Sequence, residues 1–257
     1  FSVDGGGFLG ILGGTGSGKT TLIKNLNGLL YPTSGKVLID RTDTKSFGTG
    51  LALKIGVVFQ RPERQLFEDT VLNDISFVLR RFSGLSEDEI LERARLAARQ
   101  VGLNLEELGD RSPSSISEGD KRKVAMAGIL VNDPEVLVLD EPAVGLDPRS
   151  VVDLVEVLHK MKNSKKKTII VVSHDMGPFL PLLDYMLVLN QGKIAAFGSP
   201  DDVCRCLGRD PNMREMLPEI AVLVSDLRSA GCPIPANEFR IPVLAQELSK
   251  LAGVAHS

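Results

Sequence analysis

Surplus positive charge is the first thing this 257-residue chain lacks. Thirty Lys and Arg stand against 33 Asp and Glu, a formal net charge of −3, with no long basic block. Non-specific nucleic-acid binding needs a field of cations over one surface, so no nucleic-acid partner is expected. The densest cationic run, Lys165-Lys166-Lys167, lies between two apolar segments and reads as a solvated loop. Cysteine is scarce too, confined to Cys204, Cys206 and Cys232. The Cys-x-Cys pair has no second pair or nearby His, so no metal site is read there, and an odd, sparse set fits a reducing compartment. No apolar run approaches the roughly 20 residues that cross a bilayer, and there is no secretory signal. Heptads, internal repeats and low-complexity segments are absent. These absences describe a soluble, cytoplasmic protein. The first residue is Phe1 rather than Met, and it leads quickly into a strand, so the natural N-terminus is expected to lie upstream.

What is present has an ordinary globular balance, 43% hydrophobic and 25% charged, enough to bury a sizeable core. Short apolar runs alternate with longer helical patterns, which predicts an α/β fold with a mostly parallel sheet. Five runs rich in Val, Ile and Leu read as strands buried on both faces: Phe8 to Leu12, Ile55 to Phe59, Val136 to Leu139, Thr168 to Val172 and Met186 to Leu189. Asn190-Gln191-Gly192-Lys193 then signals a hairpin back through Ile194 to Phe197. From about residue 70 to 130 the pattern is helical. Ser86 with Glu89 makes a capping box ahead of Ile90, Ala94, Ala97 and Val101, and a second helix starts near Ser117 to Lys121 and runs through Val124, Ala127 and Val131. The predicted division is a main α/β domain over 1–199, carrying this helical subdomain, and a small helical C-terminal appendage over 200–257.

Gly13-Gly14-Thr15-Gly16-Ser17-Gly18-Lys19-Thr20 fits G-x-x-x-x-G-K-[ST], after a strand and before a helix with Leu22, Ile23, Leu26 and Leu29 on one face. Glycines let successive N–H groups turn toward phosphate oxygens, and the helix N-terminus adds its positive end. Lys19 is expected to neutralise β- and γ-phosphate charge, with Thr20 on Mg²⁺ and Thr21 beside it on the nucleotide. The cofactors predicted are ATP and Mg²⁺. A buried strand ending in Asp140 supplies a carboxylate as a second Mg²⁺ ligand, and Glu141 is the candidate general base. His174, at the end of another strand, is the candidate γ-phosphate stabiliser. Gln60 is a further Mg²⁺ candidate.

The phosphate loop, Gln60, the Ser117-Glu118-Gly119 helix start, Asp140-Glu141, Gly145-Leu146-Asp147 and His174 follow the order of ABC-type ATPases, and the chain resembles that family from its start to about Gly198. Gln60-Arg61-Pro62-Glu63-Arg64-Gln65-Leu66-Phe67, with Thr70-Val71, is similar to the corresponding segment of energy-coupling-factor importers, the ATPases of cobalt, nickel and vitamin uptake. Lys121 to Gly128 and Ala143 to Pro148 resemble the same group. The resemblance implies a P-loop NTPase core and a peripheral place on the cytoplasmic face of the membrane. It implies a second ABC ATPase subunit as partner, met head to tail: Ser117 and Gly119 would contact the partner's ATP, and Asp147 would lie at the seam. A transmembrane subunit would dock near Gln60 and the helical subdomain.

The family's Leu-Ser-Gly-Gly-Gln is here Ile116-Ser117-Glu118-Gly119-Asp120. One added acid ~8 Å from a phosphate costs about 2 kcal/mol at an effective dielectric near 20, which Lys121, Arg122 and Lys123 would offset. The variant predicts either a slow half-site paired with a different ATPase, or a working homodimer that tolerates it. The expected function is an ATP-hydrolysing subunit that powers an energy-coupling-factor importer. The alternatives are a non-transport ABC ATPase, against which the lack of coiled-coil insertions and of a second phosphate loop counts, and a regulatory nucleotide-binding module.

Overall fold

The computed structural model describes residues 1–164 and 167–254. In chain order, strand β1 (Phe8–Leu12) leads into helix α1 (Lys19–Leu26). A small hairpin of β2 (Leu38–Ile39) and β3 (Thr42–Asp43) follows, then α2 (Leu51–Lys54) and β4 (Ile55–Val58). Next come α3 (Val71–Phe82), α4 (Glu87–Gln100), α5 (Leu105–Leu108), α6 (Glu118–Leu130), β5 (Val136–Asp140), α7 (Pro148–Ser164) and β6 (Thr168–Ser173). The chain closes with β7 (Tyr185–Asn190), β8 (Lys193–Gly198), α8 (Pro200–Leu207), α9 (Pro211–Arg214), α10 (Glu219–Ser229) and α11 (Ile241–Val254). All five apolar runs are strands; Phe59 falls just outside β4. Two compact units result, Phe1–Lys19 with Val171–Ser257, and Thr20–Ile170.

In the first unit, β1 is fully buried and pairs in parallel with β7, Leu9 opposite Tyr185 and Leu12 opposite Val188. Asp184 sets that register by accepting from Phe8 N at 2.9 Å while its own N–H donates to Phe8 O. The predicted hairpin to antiparallel β8 forms through Gln191 and Gly192, whose φ angles of 50° and 74° make the tight turn that suits twisted strands. Beyond Ser199, which caps α8 by accepting from Asp202 N, α8 packs on β7 and β8, and α10 packs on α8. Asp201 is buried there between Arg205 and Arg228, so its charge is compensated. Burial pushes the nearby Cys204 thiol up to about 12, which keeps it protonated and unreactive at neutral pH.

In the second unit, β4 and β5 pair in parallel, Ile55 opposite Val136 and Val58 opposite Leu139. Residues 70–130 are mostly helical, as the sequence predicts. The Ser86–Glu89 capping box is closed from both sides, and Ile90, Ala94, Ala97, Val101, Val124, Ala127 and Val131 are buried. Helices α3, α4 and α6 pack on one another around that stripe.

Two sequence expectations fail. Leu29 does not share the helical face: α1 stops at Leu26, Gly28 takes φ 75°, a left-handed helix ending, and Leu29 is exposed. Lys167 is not solvated. It is 7% exposed, pairs with Asp133 and donates to Pro134 O at 2.9 Å, as a buried ammonium must. Lys165 and Lys166 lie outside the described residues.

Candidate functional site

The phosphate-loop glycines have different reasons to be glycine. A Cβ on Gly13 would stand 2.5 Å from Ser17 Oγ and 2.7 Å from Leu189 O, so the turn closes only without one. Gly14 and Gly16 are exposed, with open space where a side chain would be. Ser17 N donates to Gly14 O at 3.2 Å, and Gly192 N, in the β7–β8 turn, donates to Ser17 O at 3.1 Å. That hairpin turn therefore braces the loop, a role no local pattern in the sequence announces. Lys19 Nζ folds back onto the loop, donating to Gly13 O at 2.6 Å and Gly14 O at 3.0 Å. Ser17 Oγ is buried and without a hydrogen-bond partner among the described residues, a polar atom of the kind that a ligand oxygen would satisfy. Thr15 is exposed within the loop, and Thr20 and Thr21 are exposed at the start of α1. His174 is likewise exposed and follows directly on the buried end of β6, in the first unit.

In the second unit, β5 carries three fully buried residues and ends on Asp140. Glu141 is next, buried at 9% exposure, with φ 49°. A non-glycine residue in the left-handed region immediately before a proline is doubly disfavoured, a strain of about 1–3 kcal/mol. The backbone then turns twice, Val144 N to Glu141 O and Leu146 N to Ala143 O, each at 3.2 Å. Gln60 follows the end of β4 and is exposed. Thr20, Gln60 and Asp140 offer a hydroxyl, an amide carbonyl and a carboxylate. This all-oxygen donor set fits Mg²⁺ rather than a softer metal.

Ser117 caps α6. Its hydroxyl accepts from Asp120 N at 3.1 Å and donates to Asp120 Oδ2 at 2.7 Å. Lys121 pairs with Glu118 at 2.6 Å and Lys123 with Asp120 at 3.6 Å, so these lysines offset the two acids. Arg122 does not. It leaves its helix to donate to Pro142 O and to Val144 O, the latter at 3.1 Å, with Glu63 at 4.0 Å. Burial pulls its guanidinium below the usual range, against the pull of Glu63 and Glu118. Asp147 sits at the start of α7, accepting from Arg149 N and Ser150 N, and from the Ser150 hydroxyl at 2.6 Å. The Ser150 hydroxyl, then the backbone N–H groups, hold its carboxyl below the ordinary carboxylate range. Ser117, Gly119 and Ser150 line one shallow cleft between α6 and α7.

A glycine loop closed by its own lysine at the carboxyl end of a parallel strand, with an acid pair ending another, defines a P-loop nucleotide hydrolase. The chain belongs to the ABC transporter family, whose family model matches residues 1–144, and within it to the energy-coupling-factor ATPases. It is 43% identical over 244 residues to "Energy-coupling factor transporter ATP-binding protein EcfA2" of Caldanaerobacter subterraneus, covering 94% of this chain and 85% of the relative. The protein of the same name from Acetivibrio thermocellus is 41% identical over 250 residues, 97% of this chain and 88% of that one. Among solved structures, cbiO1 of Clostridium perfringens, "part of the ABC transporter complex cbiONQ", matches with TM-score 0.74 and 37% identity, over 88% of this chain and 90% of that one. The ATP-binding cassette MJ0796, solved as a dimer bound to ADP and Pi, matches with TM-score 0.67 and 27% identity, over 78% and 88%.

Proposed function

We propose that the chain binds and hydrolyses ATP to drive a membrane importer of the energy-coupling-factor type, from the cytoplasmic face of the membrane. The observation that carries this reading is the loop at Gly13–Lys19, where an ammonium is folded onto two backbone carbonyls and open glycines leave room for a triphosphate. Phosphate oxygens compete for that ammonium. Lys19 exchanges neutral carbonyl partners for charged ones, and the bonds strengthen. The backbone of Gly13, Gly14, Thr15, Gly16, Ser17 and Gly18 holds the phosphates, with Thr20 and Thr21 at the helix start. Thr20, Gln60 and Asp140 hold Mg²⁺, which when bound supplies positive charge against the phosphates. Glu141 takes a proton from the attacking water, and His174 stabilises charge on the γ-phosphate.

The partners in this reading are a second ABC ATPase subunit and a transmembrane subunit that docks near Gln60 and the helical subdomain, with residues 200–257 supporting dimerisation. Ser117, Gly119 and Asp147 face the partner's nucleotide and the seam. Closure on ATP and reopening after hydrolysis is a population shift by a ligand that favours the closed pair. Single-turnover hydrolysis by the complex purified from native membranes tests the proposal. A complex that binds Mg·ATP without hydrolysing it would leave only a regulatory module.

The Ser117–Asp120 bond favours pairing with a different ATPase whose signature is intact, because the hydroxyl meant for a phosphate already donates to a carboxylate. Joint replacement Glu118→Gly with Asp120→Gln is expected to raise steady-state turnover of the complex about 3- to 30-fold, the upper bound being one acid's repulsion at ~8 Å. An unchanged rate would remove the inhibitory role of the two acids.

A further inference from the structure

Of the three successive cations at the start of α6, two stay with the acids of their own helix and one does not. Lys121 and Lys123 pair with Glu118 and Asp120. Arg122 turns inward, its side chain 11% exposed, and reaches backbone 20 and 22 positions further along the chain. Its two terminal nitrogens hold the carbonyls of Pro142 and Val144, the first and third residues after the candidate base. A planar fork fixes two carbonyls at a set spacing, which the point charge of a lysine cannot do. Glu63, itself half-buried, stands 4.0 Å from the same guanidinium and compensates its charge.

The held turn needs holding. Glu141 has φ 49° and precedes Pro142, a combination that relaxes toward extended backbone unless its surroundings over-determine it. Within the turn itself the bond Val144 N to Glu141 O, at 3.2 Å, is the closure, and Arg122 braces it from outside. Relaxation of φ would swing the Cα–Cβ bond of Glu141 and carry its carboxylate off line. We propose that Arg122 is a positioning residue for ATP hydrolysis: its guanidinium fixes the turn that begins at Glu141 and so aims the base. This rests on the reading of Glu141 as the base. Arg122 touches neither nucleotide nor water in this role. Its effect belongs in the chemical step and not in ATP affinity.

The test uses the complex purified from native membranes, with Arg122→Lys, Arg122→Gln, Glu141→Gln and the double variant Arg122→Gln/Glu141→Gln. The readouts are equilibrium ATP binding per complex and the single-turnover rate per bound ATP, which removes any inactive fraction. Arg122→Gln is expected to slow the rate about 10- to 100-fold at unchanged ATP affinity, the cost of a base displaced by about an ångström. Arg122→Lys recovers only a small part of it. In the Glu141→Gln background the Arg122 substitution costs nothing further, because residues that act as a unit are not additive.

Losses that multiply in the double variant, or a fall in ATP affinity that accounts for the slower rate, would overturn the proposal in favour of a purely structural arginine. A wild-type rate in Arg122→Gln while Glu141→Gln is slow would strike this proposal alone. A wild-type rate in Glu141→Gln would strike the base assignment itself, and the proposal with it. Should Arg122→Gln not fold, Arg122→Lys carries the same comparison.

Discussion

Glu141→Gln is expected to lower the single-turnover rate of ATP hydrolysis by about 10²- to 10⁴-fold while leaving ATP binding intact. Glutamine keeps the length and shape of the side chain, so the buried pocket at the end of β5 stays filled and the turn through Val144 survives. What disappears is the negative charge that, in the proposed role, draws a proton from water as its oxygen attacks phosphorus. That charge is worth more in a buried setting than in bulk water, because a lower dielectric weakens it less. Equilibrium binding of radiolabelled ATP followed by quench-flow separates the two quantities. Parallel loss of binding and hydrolysis would mean that Glu141 holds the fold or the nucleotide, and the base would have to be sought elsewhere.

Lys19→Ala is expected to act at the earlier step and weaken Mg·ATP binding about 10- to 150-fold, the value of a charged hydrogen bond of about 1.5–3 kcal/mol. Two losses combine in this variant. The phosphates lose their one ammonium from the loop, and the carbonyls of Gly13 and Gly14 lose the donor that now satisfies them. The loop is not expected to unfold, since Ser17 N still closes on Gly14 O and Gly192 N still holds Ser17 O. Isothermal titration with Mg·ATP reads the affinity, and thermal denaturation without nucleotide reads the loop. An affinity equal to that of the parent chain would contradict the phosphate role of Lys19. A large drop in melting temperature with no change in affinity would assign the lysine to structure alone. The two substitutions thus fall on different quantities, one on binding and one on the chemical step.

Much of this was legible along the chain because its signals are local. A strand, a glycine turn and a helix start are each written within a few residues, so the phosphate loop, the five buried strands, the β7–β8 hairpin and the Ser86 capping box could be read directly. The helical character of residues 70–130 was legible for the same reason, since a 3.6-residue apolar period needs no distant partner. The apolar period runs on to Leu29 because such a period does not report where the helix stops. The stop lies in the left-handed backbone at Gly28. The β2–β3 hairpin escaped because two-residue strands carry no period, although Asp40 and Arg41, with φ 47° and 65°, form its turn.

The amino-acid sequence by itself determined the fold class, the loop and the order of motifs, because each depends on residues a few positions apart. Only the tertiary structure decided which charges are spent. Among Lys121, Arg122 and Lys123 it sent one inward to the turn after Glu141, and from the run at 165–167 it buried Lys167 against a carboxylate 34 residues away. It also engaged the Ser117 hydroxyl with Asp120 and set Gly192 behind Ser17. The physical reason is the same throughout. The charge and hydrogen-bonding capacity of a side chain are fixed by its type, but its partner is fixed by what folding brings within about 3 Å of it.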